Sequence, residues 1–133
     1  MEVTAQRLTD SKFEIVSRHH HLICDQPVDN GGTDAGISPP EFLLASLAAC
    51  AGYYAAQYLK TRSVKLDDLT VRVSADKARN PARLGSFRIE VTAPGLESQH
   101  EGPLLRAVKA CLIHNTLMSQ PSVEIGLNCP FPA

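Results

Sequence analysis

Between Glu41 and Lys60 the chain carries no charged residue. Ser38-Pro39-Pro40-Glu41 immediately before this stretch is a helix start: Ser38 can cap, Pro39 suits the first helical position and Glu41 completes a capping box. The spacing predicts a helix running to about Thr61. A surface helix keeps one polar stripe, whereas this one is apolar nearly all round and belongs at the centre of an assembly. The apolar run from Phe42 to Ala56 is interrupted by Ser46 and Gly52. A membrane span needs roughly 20 predominantly apolar residues, so a buried helix is the better reading. With 133 residues the chain is long enough for one domain, 1–133, but has trouble covering such a helix on every side. The expectation is a homodimer in which a second copy completes the burial.

The rest of the chain supplies strands. Glu2 to Thr9, Lys12 to Arg18 and His20 to Cys24 alternate well enough to form three of them. Residues 26–38 collect Pro27, Asp29, Asn30, Gly31, Gly32, Asp34 and Gly36, which is loop chemistry. Leu69 to Ala75 and Leu84 to Ala93 alternate around Asn80-Pro81 and predict a hairpin with a longish loop. Glu101 to Ser119 reads as one second helix, and Ser122 to Leu127 as a last strand with Val123, Ile125 and Leu127 inward. The order gives an α+β fold with strands packed around two long helices, without βαβ alternation or an internal repeat.

Charge excludes some functions. The net charge of −1, from 13 basic and 14 acidic residues, leaves no footprint for nucleic acid or an anionic membrane. Met1 to Asp10 lacks the apolar run of a signal peptide, so a cytoplasmic protein is expected. The loop from Gly31 to Gly36 lacks the Lys-Ser/Thr of a phosphate cradle. His19, His20 and His21 alternate across a strand and cannot easily serve one metal site, while Cys111 and His114, one turn apart, leave a zinc reading open.

The candidate chemistry lies in two of the four cysteines. Cys24, Cys50, Cys111 and Cys129 are dispersed, with no C-x-x-C motif. Cys50 falls in the middle of the predicted central helix, near Leu43, Leu47 and Tyr54 by helical spacing. Cys111 falls in the middle of the second, near Val108, Asn115 and Met118. Taken alone, each reads as a core cysteine, since an apolar site raises the thiol pKa and the thiolate is the reactive form.

The segment Ser38-Pro39-Pro40-Glu41-Phe42-Leu43-Leu44-Ala45-Ser46-Leu47-Ala48-Ala49-Cys50, with Cys111-Leu112-Ile113-His114-Asn115-Thr116-Leu117, resembles the OsmC/Ohr family of thiol-dependent peroxidases. Arg18-x-His20 through Asp25-Gln26-Pro27, then Gly31-Gly32-x-Asp34-x-Gly36, is similar to the small OsmC-like branch. The resemblance implies an intertwined dimer around the central helices, with each active site at the interface. It implies that Cys50 is oxidised by a hydroperoxide to a sulfenic acid and that Cys111 condenses with it to a disulfide, which a cellular dithiol reduces. No metal, haem or flavin is required. It also implies an arginine that stabilises the thiolate, for which Arg18 is the best candidate, and a glutamate that holds the arginine, for which Glu41 is the obvious one. Glu41 stands nine residues before Cys50, on the opposite helix face at about 100° per residue. Two other readings stay open: a non-catalytic dimer binding a small apolar ligand between the central helices, and a thiol-based redox sensor.

Overall fold

The computed structural model describes residues 1–132 and has the element order β1 (Thr4–Thr9), β2 (Lys12–Ser17), β3 (His20–Cys24), α1 (Pro39–Thr61), β4 (Thr70–Ala78), β5 (Arg83–Thr92), α2 (Glu101–Lys109) and α3 (Leu112–Met118). Two antiparallel sheets result, one of order β1-β2-β3 and one made of the β4-β5 hairpin. Short 3₁₀ turns at Val28–Asn30 and Ser98–His100 punctuate the connections.

The capping box predicted at the start of α1 is present. The Ser38 N–H and Oγ both donate to Glu41 Oε1, at 3.1 and 2.8 Å. From there α1 buries Leu47, Ala51, Ala55, Tyr58 and Leu59, a repeat of three and four residues that marks one face. Alanine at 51 and 55 lets the β4-β5 sheet approach closely, and Leu104 and Val108 of α2 complete the cluster. Cross-strand pairs Val71↔Val91, Val73↔Ile89 and Ala75↔Phe87 put one face of the hairpin onto this core.

The N-terminal sheet is tied to the rest through one buried carboxylate. Asp25 is 1% exposed and accepts hydrogen bonds from Ser11 Oγ (2.7 Å), Gln26 N–H (2.8 Å), Thr33 N–H and Oγ1 (3.1 and 2.8 Å) and Ala35 N–H (3.1 Å). The loop closes around it so tightly that a Cβ at Gly32 would collide with the Gln26 carbonyl, and one at Gly36 with the Ile23 carbonyl. The Ser11 hydroxyl first, then the Thr33 hydroxyl and the Ala35 N–H, hold this carboxyl far below the usual carboxylate range against the opposing cost of burial.

Four expectations are corrected. The second helix is not continuous over Glu101 to Ser119: it breaks at Ala110–Cys111, so the chain has one long helix and two short ones. Cys111 is therefore not mid-helix but is the residue that precedes α3, with φ −56° and ψ 131°. Ser122 to Leu127 forms no strand; Val123, Ile125 and Leu127 lie exposed. A strand needs a neighbouring edge for its N–H and C=O groups, and among the described residues this segment pairs with none. The β4-β5 strands are longer than their alternation suggested, leaving only Arg79–Ala82 as the turn.

The helix α1 is long and apolar enough to cross a membrane by length and composition alone, but its buried face lies against β4, β5 and α2. Its other face is open within one chain, with Leu43 and Tyr53 exposed. The inner face of the N-terminal sheet is likewise open. Val3, Ala5, Phe13, Ile15, Leu22 and Cys24 face Pro39 and Phe42 across an apolar cavity of about 540 Å³.

Candidate thiol site

The break between α2 and α3 decides the chemistry. At a helix start the first N–H groups have no partner within the helix. Here those of Leu112 and Ile113 act on Cys50 Sγ, carried on α1, and those of Ile113 and His114 on Cys111 Sγ, each lowering the thiol's pKa. The two thiols lie beside each other and shift each other in opposite senses, Cys50 down and Cys111 up. Cys50 and Cys111, 61 positions apart in the sequence, thus meet at one point, as disulfide closure requires.

The environment separates the two sulfurs. Burial pushes the Cys50 thiol up, but the Cys111 thiol and the Ile113 and Leu112 N–H groups outweigh it and bring Cys50 below the ordinary cysteine value. Cys111 is fully buried, and burial followed by its bond to Cys50 pushes it up against the opposing His114 and Ile113 N–H groups. Of the two, Cys50, the less buried, is therefore the thiol that ionises more easily. Cys24 is buried and pushed up, by burial first and then by the Asp25 charge, while Cys129 is exposed.

The other two candidates lie apart from the sulfurs in the chain. The Glu41 carboxylate is committed to Ser38, whose hydroxyl and N–H hold it below the usual range. It stands about 13 Å along the helix axis from Cys50, at about 1.5 Å per residue. Arg18 sits exposed in the β2-β3 turn with φ 54°, a left-handed backbone that favours glycine or asparagine. Next to it the His19 and His20 rings lie 4.1 Å apart, and His21 Nδ1 is 3.4 Å from Glu14 Oε1. Among the described residues no group of three His, Cys, Asp or Glu side chains could hold a metal ion.

The N–H groups of Leu112 and Ile113 were not found by sequence reasoning. No glycine or proline marks residues 109–112, so the apolar pattern ran straight through the break.

Comparison with known proteins gives a consistent answer. The profile of the OsmC-like protein family matches residues 31–126, a span that holds Glu41 and both sulfurs. A hydroperoxide reductase of Mycoplasma pneumoniae is 24% identical over 133 aligned residues, covering 96% of this chain and 93% of that protein. The crystal structure of an OsmC-like protein from Mycoplasma pneumoniae superposes with a TM-score of 0.74 at 24% identity, covering 90% of this chain and 87% of that one. A Psychrobacter arcticus 273-4 protein ascribed to the osmotic stress and detoxification response gives a TM-score of 0.78 at 20% identity, covering 86% and 85%. At these identities the two solved structures establish a shared fold.

Proposed function

The chain belongs to the OsmC-like protein family, and from that premise we propose that it is a cysteine-based peroxidase that reduces organic hydroperoxides. The observation that carries this reading is the asymmetric thiol pair: Cys50, lowered, beside a fully buried and raised Cys111. The Cys50 thiolate attacks one peroxide oxygen, the O–O bond breaks, and the alcohol leaves with a proton from solvent. Cys50 is then a sulfenic acid, and Cys111 condenses with it to a disulfide and water. A cellular dithiol returns both thiols, which suits a reducing compartment such as the cytosol.

The working form in this reading is a homodimer. Leu43, Tyr53, Val123, Ile125 and Leu127 are exposed on a single chain, an apolar surface that a second copy would cover. The same assembly brings a cation to the thiolate. Arg18 keeps a bulky side chain at a left-handed turn position, where strain is tolerated when the side chain has a use. From the tip of the β2-β3 turn it would reach the partner's Cys50. Glu41 acts mainly as a helix cap and, in the dimer, as an anchor for the guanidinium.

Mass spectrometry after one equivalent of an alkyl hydroperoxide tests the reading. A Cys50–Cys111 disulfide is expected in the wild type, and loss of turnover with retained folding in Cys50→Ser. Full peroxidase activity in Cys50→Ser would sink it. A disulfide without multiple turnover would favour a redox sensor instead.

A further inference from the structure

His114 Nδ1 is sealed from solvent and meets no hydrogen-bond partner among the described residues. Buried polar atoms in native folds are nearly always paired, so an orphan asks for a use. His114 is the third residue of α3, and its own N–H is given to Cys111 Sγ. In a capping box the side chain at this third position folds back toward the residue preceding the helix. Here that residue is Cys111, so the imidazole and the resolving sulfur belong to the same helix turn.

Cys111 needs an acceptor at one moment of the cycle. In the reduced protein it keeps its proton, beside the more easily ionised Cys50 sulfur. Once Cys50 carries an oxygen, that negative charge is gone. Cys111 is then a fully buried neutral thiol, a poor nucleophile, shielded from bulk solvent.

We propose that His114 Nδ1 is the general base of the resolving step, an inference that rests on the peroxidase reading above. With the ring proton on Nε2, Nδ1 carries a free lone pair. It takes the proton from Cys111 Sγ, and the resulting thiolate attacks Cys50 Sγ. The S–S bond forms as the S–O bond breaks, and the oxygen leaves as water with the proton carried by the imidazolium. Sulfenic acid plus thiol give disulfide plus water, so no further oxidant or reductant enters. While Cys50 is reduced, Cys111 keeps its proton, and the imidazole stays idle until the first oxidation has occurred.

His114→Ala and His114→Gln test this in single-turnover mixing with one equivalent of cumene hydroperoxide. Dimedone trapping and mass spectrometry follow the Cys50 sulfenic acid and the Cys50–Cys111 disulfide separately. The expected result is sulfenic acid at the wild-type rate in both variants and disulfide closure roughly 100-fold slower, with closure in His114→Ala restored by added imidazole. Closure at the wild-type rate overturns the proposal. So does slow closure that imidazole leaves unchanged, because lost packing then accounts for it, and so does slowed sulfenic acid formation in both variants. A wild type that forms neither species overturns the peroxidase reading itself.

Discussion

Cys111 lies beside Cys50, and the two thiols shift each other's pKa in opposite senses, while the Leu112 and Ile113 N–H groups also lower that of Cys50. The environment that lowers Cys50 is therefore partly made by its neighbour Cys111. Removing that neighbour has two effects that can be measured apart. Cys111→Ala abolishes disulfide closure and also raises the Cys50 pKa, because one of the groups lowering it is lost. The alkylation rate of Cys50 by iodoacetamide, followed against pH, should move its midpoint upward in Cys111→Ala and less so in Cys111→Ser, which keeps a donor. An unmoved midpoint in both would mean that the Leu112 and Ile113 N–H groups suffice.

Asp25 makes folding sensitive to acid. Its pKa in the folded chain lies below the unfolded value of about 3.9. A depressed carboxyl stabilises the fold above the unfolded pKa and loses that contribution as pH falls toward and through the folded one. Urea midpoints should thus be flat for this group above about pH 5 and decline progressively below about pH 4. In Asp25→Asn the decline should be shallower and the stability at pH 7 lower, since Ser11, Thr33 and Ala35 lose their charged acceptor. Parallel acid profiles for the two proteins would contradict the assignment.

Much of this was legible before the fold. The charge-free stretch after Glu41 gave α1 and its cap, and alternation gave β1 to β5. The break at Cys111 was not legible, because Ala110 and Leu112 are good helix formers and no breaker stands there. The signal is tertiary: α3 begins where Cys50 of α1 lies against the Leu112 and Ile113 N–H groups. The failed strand at Ser122 to Leu127 has the converse cause. Its alternation is real, but a strand is a property of a pair of edges, and the sequence of one chain says nothing about which edge is free. Cys50 and Cys111 could be named from the motifs, whereas the opposite pKa shifts of the two thiols depend on contacts that bridge 61 positions.

The core packing around α1 carries much of the stability. Leu47 and Leu59 are 1% and 0% exposed and among the largest fully buried side chains. Leu59→Ala should cost about 2–5 kcal/mol in equilibrium urea unfolding. Leu43→Ala, at an exposed position of the same helix, should cost well under half of that in a monomeric state.

Arg18 can be separated from its turn. At φ 54° glycine is the better backbone residue, so Arg18→Gly removes the guanidinium without straining the hairpin. If the partner's thiolate uses this cation, Cys50 oxidation in stopped flow should slow by roughly tenfold or more, as expected for a lost charge-assisted hydrogen bond. The thermal midpoint should hold or rise. Unchanged oxidation kinetics would return Arg18 to the role of a solvated turn residue.

The last expectation concerns the open face of α1. Tyr53 is 61% exposed in a single chain, on a helix with no charge between Glu41 and Lys60. If a second copy covers it, a charge placed there must be buried without a partner, which is strongly disfavoured. Tyr53→Asp should therefore shift sedimentation from dimer to monomer and cut peroxidase turnover in proportion, since Arg18 would no longer meet the partner's thiol. The monomer should still alkylate readily at Cys50, because Leu112, Ile113 and Cys111 come from the same chain. A wild-type protein that sediments as a monomer at micromolar concentration would remove the need for a partner and leave the intrachain hydrogen bonds as the whole of the activating set.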